Sequence, residues 1–143
     1  MLRWLTRFLE WFRRGDTGAR GEALAADFLR GKRGFAIVTR NWRNPRDRRD
    51  EIDLVCRDDN VLVFVEVKTR GAAALVPGYF AVDRRKRRVL LRACTAYLRQ
   101  LRSPPHTYRF DVVEVKLPQA GENAGPEISH FANIPLFSKH HQP

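Results

Sequence analysis

Between Glu51 and Lys68 almost every position is strand-forming. Glu51-Ile52-Asp53-Leu54-Val55 leads through the short polar linker Arg57-Asp58-Asp59-Asn60 into the unbroken run Val61-Leu62-Val63-Phe64-Val65-Glu66-Val67-Lys68. The pattern predicts two antiparallel strands joined as a hairpin. Side chains alternate across a strand, so Val61, Val63, Val65 and Val67 share one face, and Leu62, Phe64, Glu66 and Lys68 the other. In the upstream segment Glu51, Asp53 and Val55 lie opposite to Ile52, Leu54 and Cys56. Two registers are open. With Asp59-Asn60 as the turn, Asp58 pairs with Val61 and Asp53 faces Glu66. With Asp58-Asp59 as the turn, Asp53 faces Phe64 and lies diagonal to Glu66. In both, Asp53, Glu66 and Lys68 emerge on one face within cross-strand reach.

Helical periods flank this hairpin. Ala19 to Arg30 predicts a helix with Leu24, Ala25, Phe28 and Leu29 as its buried stripe, ended by Gly31 and Gly34. Phe35 to Arg40 follows as a strand, and Asn44 to Asp50 as a solvated polar loop that could touch phosphates. A small-residue loop, Gly71 to Gly78, precedes a long helix from about Val82 to Leu101. On that helix Val82, Lys86, Leu90, Ala93 and Tyr97 form the sheet-facing stripe. Tyr108 to Lys116 is a further strand, Gln119 to Pro126 a flexible linker, and Ile128 to Phe131 an edge strand. The amphipathic start places Leu5, Phe8 and Phe12 opposite Arg3, Arg7 and Arg14. Gly15-Asp16-Thr17-Gly18 breaks its pattern. The organisation expected is therefore an N-terminal amphipathic segment (1–17), one α/β domain (18–137) with a mixed central sheet flanked by helices, and a tail (138–143).

A chain of 143 residues suits a single domain. Composition sharpens the partner class. Lys plus Arg number 27 against 16 for Asp plus Glu, and 27 − 16 leaves a net charge of +11. Arginine dominates the excess, and its planar guanidinium contacts phosphates in pairs and stacks on bases, which puts nucleic acid ahead of other partners. A GC-rich genome that favours arginine codons accounts for part of the excess. Cys56 and Cys94 have no metal-ligand spacing and read as core thiols of a reduced, cytoplasmic protein. No signal-peptide core or transmembrane run is evident. His106 and His130 lack companions at zinc-site spacing and read as structural or surface residues.

The chemistry lies at the end of the hairpin. Two carboxylates side by side repel, and an oxygen-seeking cation that keeps several waters, Mg²⁺ above all, is the natural neutraliser. Such an ion activates water and stabilises charge on phosphate. Lys68 beside it can orient water or hold the scissile phosphate. Arg84, Arg85, Arg88 and Arg92 spread over the outer surface of the long helix, nearly unmatched by acids. With Arg70 and Lys86 they form the expected nucleic-acid-binding set. For Glu22, favourable charge at a helix N-terminus is as good a reading of the residue alone as a role in the site.

Asp53, twelve residues and then Glu66-Val67-Lys68 resembles the D…(D/E)-x-K core of the restriction-endonuclease-like nucleases, which include Holliday-junction resolvases. The ordered blocks from Gly18 to Ala25, Arg40 to Arg43, Glu51 to Val55, Val63 to Arg70, Arg109 to Val112 and His130 to Asn133 are similar to those of the bacterial YraN-like family. They cover roughly Gly18 to Phe137. The segment Val76 to Ala81 departs from the family, whose members tend to carry Gly-x-Pro and an acidic residue there. The resemblance implies a restriction-endonuclease-like α/β fold and a metal-dependent DNA endonuclease. Asp53, Glu66 and Glu22 would then be ligands for Mg²⁺ or Mn²⁺, Lys68 would be catalytic, and Lys86 a helix-borne assistant.

The expected function is accordingly divalent-metal-dependent phosphodiester hydrolysis on nucleic acid, DNA before RNA. The alternatives are a catalytically silent nucleic-acid binder of the same fold, and an interaction module docking on a protein or membrane through residues 1–14. A homodimer is left open.

Overall fold

The computed structural model describes the backbone of residues 2–71 and 84–143, and the side chains of residues 17–71 and 84–143. The element order is α1 (Leu2–Arg33), β1 (Ala36–Arg43), β2 (Glu51–Asp58), β3 (Val61–Gly71), α2 (Arg84–Gln100), β4 (Thr107–Leu117) and β5 (Glu127–Phe131). The five strands form one sheet in the order β1-β2-β3-β4-β5. The β3–β4 pair is parallel and the other pairs are antiparallel. This is the mixed α/β, restriction-endonuclease-like architecture that the sequence implies. The parallel pair needs a crossover, and α2 lies on it between β3 and β4.

The sheet is buried on both faces, which explains why β3 reads as a continuous apolar run. On one face Ala25, Ala26 and Leu29 of α1 pack with Leu54, Cys56, Val63, Val65, Val113 and Val115. On the other, Leu90, Ala93, Cys94, Tyr97 and Leu98 of α2 pack with Phe64, Phe110 and Val112. Each fully buried Phe or Leu contributes about 1.5–3 kcal/mol, so these two layers fix how both helices lie against the sheet. Of the expected α2 stripe, Leu90, Ala93 and Tyr97 are buried against the sheet, joined by Cys94 and Leu98, while Val82 lies outside the described residues; the two cysteines are buried free thiols in these layers.

Two expectations are corrected. The helix runs unbroken from Leu2 to Arg33, straight through Gly15–Gly18. Glycine weakens a helix by only about 1 kcal/mol relative to alanine, too little to end one. The actual stop is Gly34, whose φ of +71° needs no Cβ. Phe35 N–H then donates to Leu29 O at 3.0 Å. Second, the segment 138–143 includes a docked residue: Tyr108 Oη lies 2.7 Å from His141 Nδ1, and His141 Nε2 lies 3.0 Å from Thr95 Oγ1. The loop after β1 is solvated as expected, apart from Asp50, and it is internally ordered. Asn44 Oδ1 accepts from Arg46 N–H and Asp47 Oδ1 from Arg49 N–H, both at 3.1 Å. The expectations for Gly71–Gly78, for Val76–Ala81 and for the side chains of residues 1–14 lie outside the described residues. Among the described residues no helix is long and apolar enough to cross a membrane.

Candidate metal and phosphate site

Of the two registers the sequence leaves open, the structure has Asp58 paired with Val61, with Asp59 and Asn60 between them. Asp59 adopts φ +51°, a left-handed conformation that aspartate tolerates better than most residues. The hairpin ladder then runs from Asp58–Val61 to Leu54–Val65 and stops one step short of Asp53 and Glu66. On its other side β2 also skips Asp53, because the register with β1 passes from Arg40–Leu54 to Trp42–Ile52. Asn41, at the skipped position of β1, has φ +51°.

Asp53 thus sits at an interruption of both ladders. Its side chain supplies what the backbone does not: Val67 N–H donates to Asp53 Oδ2 at 2.8 Å. The interruption also overturns one alternation. Ile52 packs in the α2-side layer with Val55 and beside Trp42, whereas Leu54 and Cys56 face α1.

Glu66 and Asp53 are both buried, at 4% and 9% exposure. Two ammonium groups from different elements converge on one oxygen of Glu66. Lys68 Nζ from β3 and Lys86 Nζ from α2 each lie 3.2 Å from Oε1. Lys86 stands on the sheet-facing stripe of α2, where the helical period puts it. Burial opposes its charge, but the Glu66 carboxylate, helped by Asp53 and Glu51, outweighs that and raises its pKa. Asp53 has no such cation in hydrogen-bond contact among the described residues. Burial, reinforced by the charge of Glu66, pushes its carboxyl up to about 8, against the pull of the Val67 N–H.

Glu22 approaches from α1, on the opposite face of the sheet. Burial raises its pKa, the hydrogen bond from Asn41 works against the rise, and the Glu51 and Glu66 carboxylates add to it. Glu22 is close enough to feel Glu66, and Asp53 feels Glu22 in turn. Even so, no group of three or more His, Cys, Asp or Glu side chains stands ready to hold a metal ion among the described residues. The donor set that remains is the Asp53–Glu66 pair. It fits a cation such as Mg²⁺, which binds through one or two carboxylates and keeps several waters, and it does not fit an all-protein cage. The raised pKa of Asp53 comes first from burial and second from the charge of Glu66, and a cation held between the two carboxylates would offset both.

The basic residues divide. Arg84, Arg85 and Arg88 are exposed on the first turns of α2, next to Lys86. Arg70 is half-buried near the end of β3. Arg92 has a structural partner. Its Nε donates to Asp50 at 2.8 and 2.9 Å, and Asp50 is wholly buried. That brace pins the ordered Asn44–Asp50 loop to α2.

Sequence reasoning missed Asp50, Asn41 and a second buried polar cluster. Asp111 accepts from Arg109 Nε at 3.0 Å and from Asn133 N–H at 2.9 Å, and lies 2.8 Å from His130 Nε2. Burial works to raise the Asp111 pKa, but these donors overcome it and hold the carboxyl below its usual range. The signal for Asp111 was present, since it is an acid in the middle of an apolar strand, as Glu66 is. His130 is structural, as its lack of zinc-site companions suggests.

A model of the uncharacterised protein family UPF0102 matches residues 21–115, a span that includes Glu22, Asp53, Glu66, Lys68 and Lys86. Over 100 residues the chain is 49% identical to a UPF0102 protein of Symbiobacterium thermophilum, covering 69% of this chain and 80% of that one. It is 42% identical over 122 residues to a UPF0102 protein of Koribacter versatilis, covering 85% and 80%. A UPF0102 protein of Chlorobium phaeobacteroides is 42% identical over 100 residues, covering 70% and 76%.

Proposed function

Because the chain belongs to the uncharacterised protein family UPF0102, the YraN-like family its ordered blocks resemble, its chemistry has to be argued from the site, and we propose that it binds nucleic acid and hydrolyses phosphodiester bonds with Mg²⁺ or Mn²⁺. One observation carries this reading. Two lysines from separate elements meet on one oxygen of Glu66, beside a buried carboxyl pushed up to about 8. A site built only for stability gains little from placing two buried acids together, because each is costly to ionise. A site built for a phosphate and a cation needs both signs of charge at close range.

Asp53 and Glu66 would hold the cation, and Glu22 would supply further negative potential from the opposite side. When bound, such an ion lowers the pKa of its water and offsets charge on the phosphoryl oxygens. The chain's own groups do the rest. Lys68 and Lys86, anchored on Glu66, present fixed positive charge to a phosphodiester and orient it. Asp53 carries its proton at the carboxyl when the site is metal-free and gives it up as the acids are neutralised. Arg84, Arg85 and Arg88 lie next to Lys86 and extend the positive surface along which a phosphate backbone can run, with Arg70 at the end of β3 adding to it. The resemblance to Holliday-junction resolvases puts DNA ahead of RNA as the partner. The two buried free thiols fit a cytoplasmic setting.

A second reading, a silent nucleic-acid binder of the same fold, is favoured by the lack of a three-acid group among the described residues. Incubating the protein with a panel of branched, flapped, linear and single-stranded DNAs and RNAs, with Mn²⁺ and with EDTA, separates the two. Cleavage that EDTA abolishes and Lys68→Ala loses supports the nuclease. Binding without cleavage across the whole panel supports the silent binder.

A further inference from the structure

On the flank of α2 away from the sheet, Arg88, Arg92, Thr95 and Arg99 recur at intervals of four, three and four residues, which aligns them as one stripe. The stripe is one wall of a cavity of about 660 Å³, and the end of β1 with the ordered loop after it is the other, contributing Trp42 and Arg46. Among the described residues, four arginines line this space and no acid does. Asp50 is wholly buried and engaged by Arg92, and Asp47 of the same loop is held by Arg49. Arg46, Arg88 and Arg99 are exposed and make no ion pair among the described residues. The floor is different in kind: Leu91 and Trp42 are half-buried, and Trp42 is backed edge-on by Tyr97 at 5.3 Å.

Resting on the nucleic-acid reading above, we infer that this cavity is a subsite for unpaired nucleotides, so that the substrate carries a single-stranded extension beside the scissile bond. A duplex presents only its phosphates to a flank, and a convex row of arginines would serve it as well. A concave site with an apolar, aromatic floor and a cationic rim instead fits bases that have left the stack, with their phosphates held above. Its volume is in the range of pockets that enclose a small ligand, about 300–1,000 Å³. Arg88 follows Lys86 by two residues, and the stripe from Arg88 to Arg99 climbs about 16 Å at about 1.5 Å per residue. Lys86 faces the sheet and Arg88 the outer flank, so a strand leaving the Glu66 site passes around the first turn of α2 to reach the cavity.

The test compares fluorescence anisotropy of a labelled short duplex bearing an unpaired tail with that of the same duplex blunt-ended, at one fixed salt concentration. The variant is Arg46→Ala with Arg99→Ala; both residues are exposed, and its melting temperature is checked against wild type. Wild type should prefer the tailed duplex. The variant should bind it about tenfold more weakly while blunt binding changes less than about twofold. Equal weakening for both substrates, or no weakening, overturns the inference, as does displacement of the tailed duplex by polyglutamate as efficient as by an oligonucleotide of equal charge. Asp53→Asn should keep the tail preference. Tail-dependent binding without cleavage would leave the subsite standing and remove only the nuclease; no binding to either duplex would remove both.

Discussion

Gly21 of α1 lies so close to Thr69 of β3 that a Cβ added to it would stand 1.8 Å from the threonine Oγ1 and 2.9 Å from its Cβ. The close approach locks the helix to the strand one residue before Glu22 and one after Lys68, and so sets how near Glu22 comes to the carboxylate pair. Gly21→Ala gains up to about 1 kcal/mol of helix propensity and loses about 1–3 kcal/mol to overpacking. The variant should therefore melt lower than wild type. Thr69→Ala, which removes Oγ1 and Cγ2, should restore part of the loss in the double variant, and thermal denaturation of the four proteins checks it.

The burial of Asp53 gives a pH dependence of definite sign. Unfolded, its carboxyl releases the proton near the ordinary 3.8; folded, it keeps it to about 8. Between those values the folded state binds more protons, so metal-free stability falls as pH rises, by up to about 1.4 kcal/mol per pH unit. Asp53→Asn keeps an oxygen for the Val67 N–H and has no proton to lose. In EDTA the variant should gain on wild type steadily from pH 5 to 8. Parallel melting profiles across that range would show that Asp53 is not a strained acid.

Arg84 and Arg88 are surface charges, whereas Arg92 is the partner of a wholly buried Asp50. Arg84→Glu with Arg88→Glu should leave the melting temperature unchanged and weaken binding to unrelated DNAs alike. It should also flatten the salt dependence by about 0.9 in log–log slope for each phosphate that is no longer neutralised. Arg92→Ala should instead lower the melting temperature, because it strands Asp50 without its cation. Equal melting of the two variants would contradict the division.

The described packing of α1 onto the sheet begins at Gly21 and centres on Ala25, Ala26 and Leu29. Removing residues 1–16 should therefore leave a folded domain with nearly the wild-type melting temperature, even though the helix is continuous. A large fall on truncation would assign the first turns of α1 to the core.

The hairpin was legible because turn residues and a period of two constrain it locally, and Lys86 because a period of 3.6 aims it at the sheet. The ladder interruption at Asp53 was not, since it depends on Asn41 in a strand paired from the other side. Arg92 looked like its neighbours because Asp50 is 42 residues away. The cluster of Arg109, Asp111 and His130 needed the β4–β5 register, which pairs Val113 with His130. Local signals placed the acids, and non-local pairing decided which arginines remain available. The continuous α1 shows the converse error, a break placed at glycines whose cost is too small to make one.

The central claim is that Asp53 and Glu66 form a cation site whose acids are out of balance until it is filled. Calorimetric titration of Mg²⁺ or Mn²⁺ at pH 7, repeated in buffers of different ionisation enthalpy, measures the protons released on binding. Wild type should bind with release of roughly one proton per cation. Asp53→Asn and Glu66→Gln should lose the binding, and Lys68→Ala should keep much of it. Wild-type heats that are absent even with DNA present, or that do not change with the buffer, would contradict the account and leave the acids as structural.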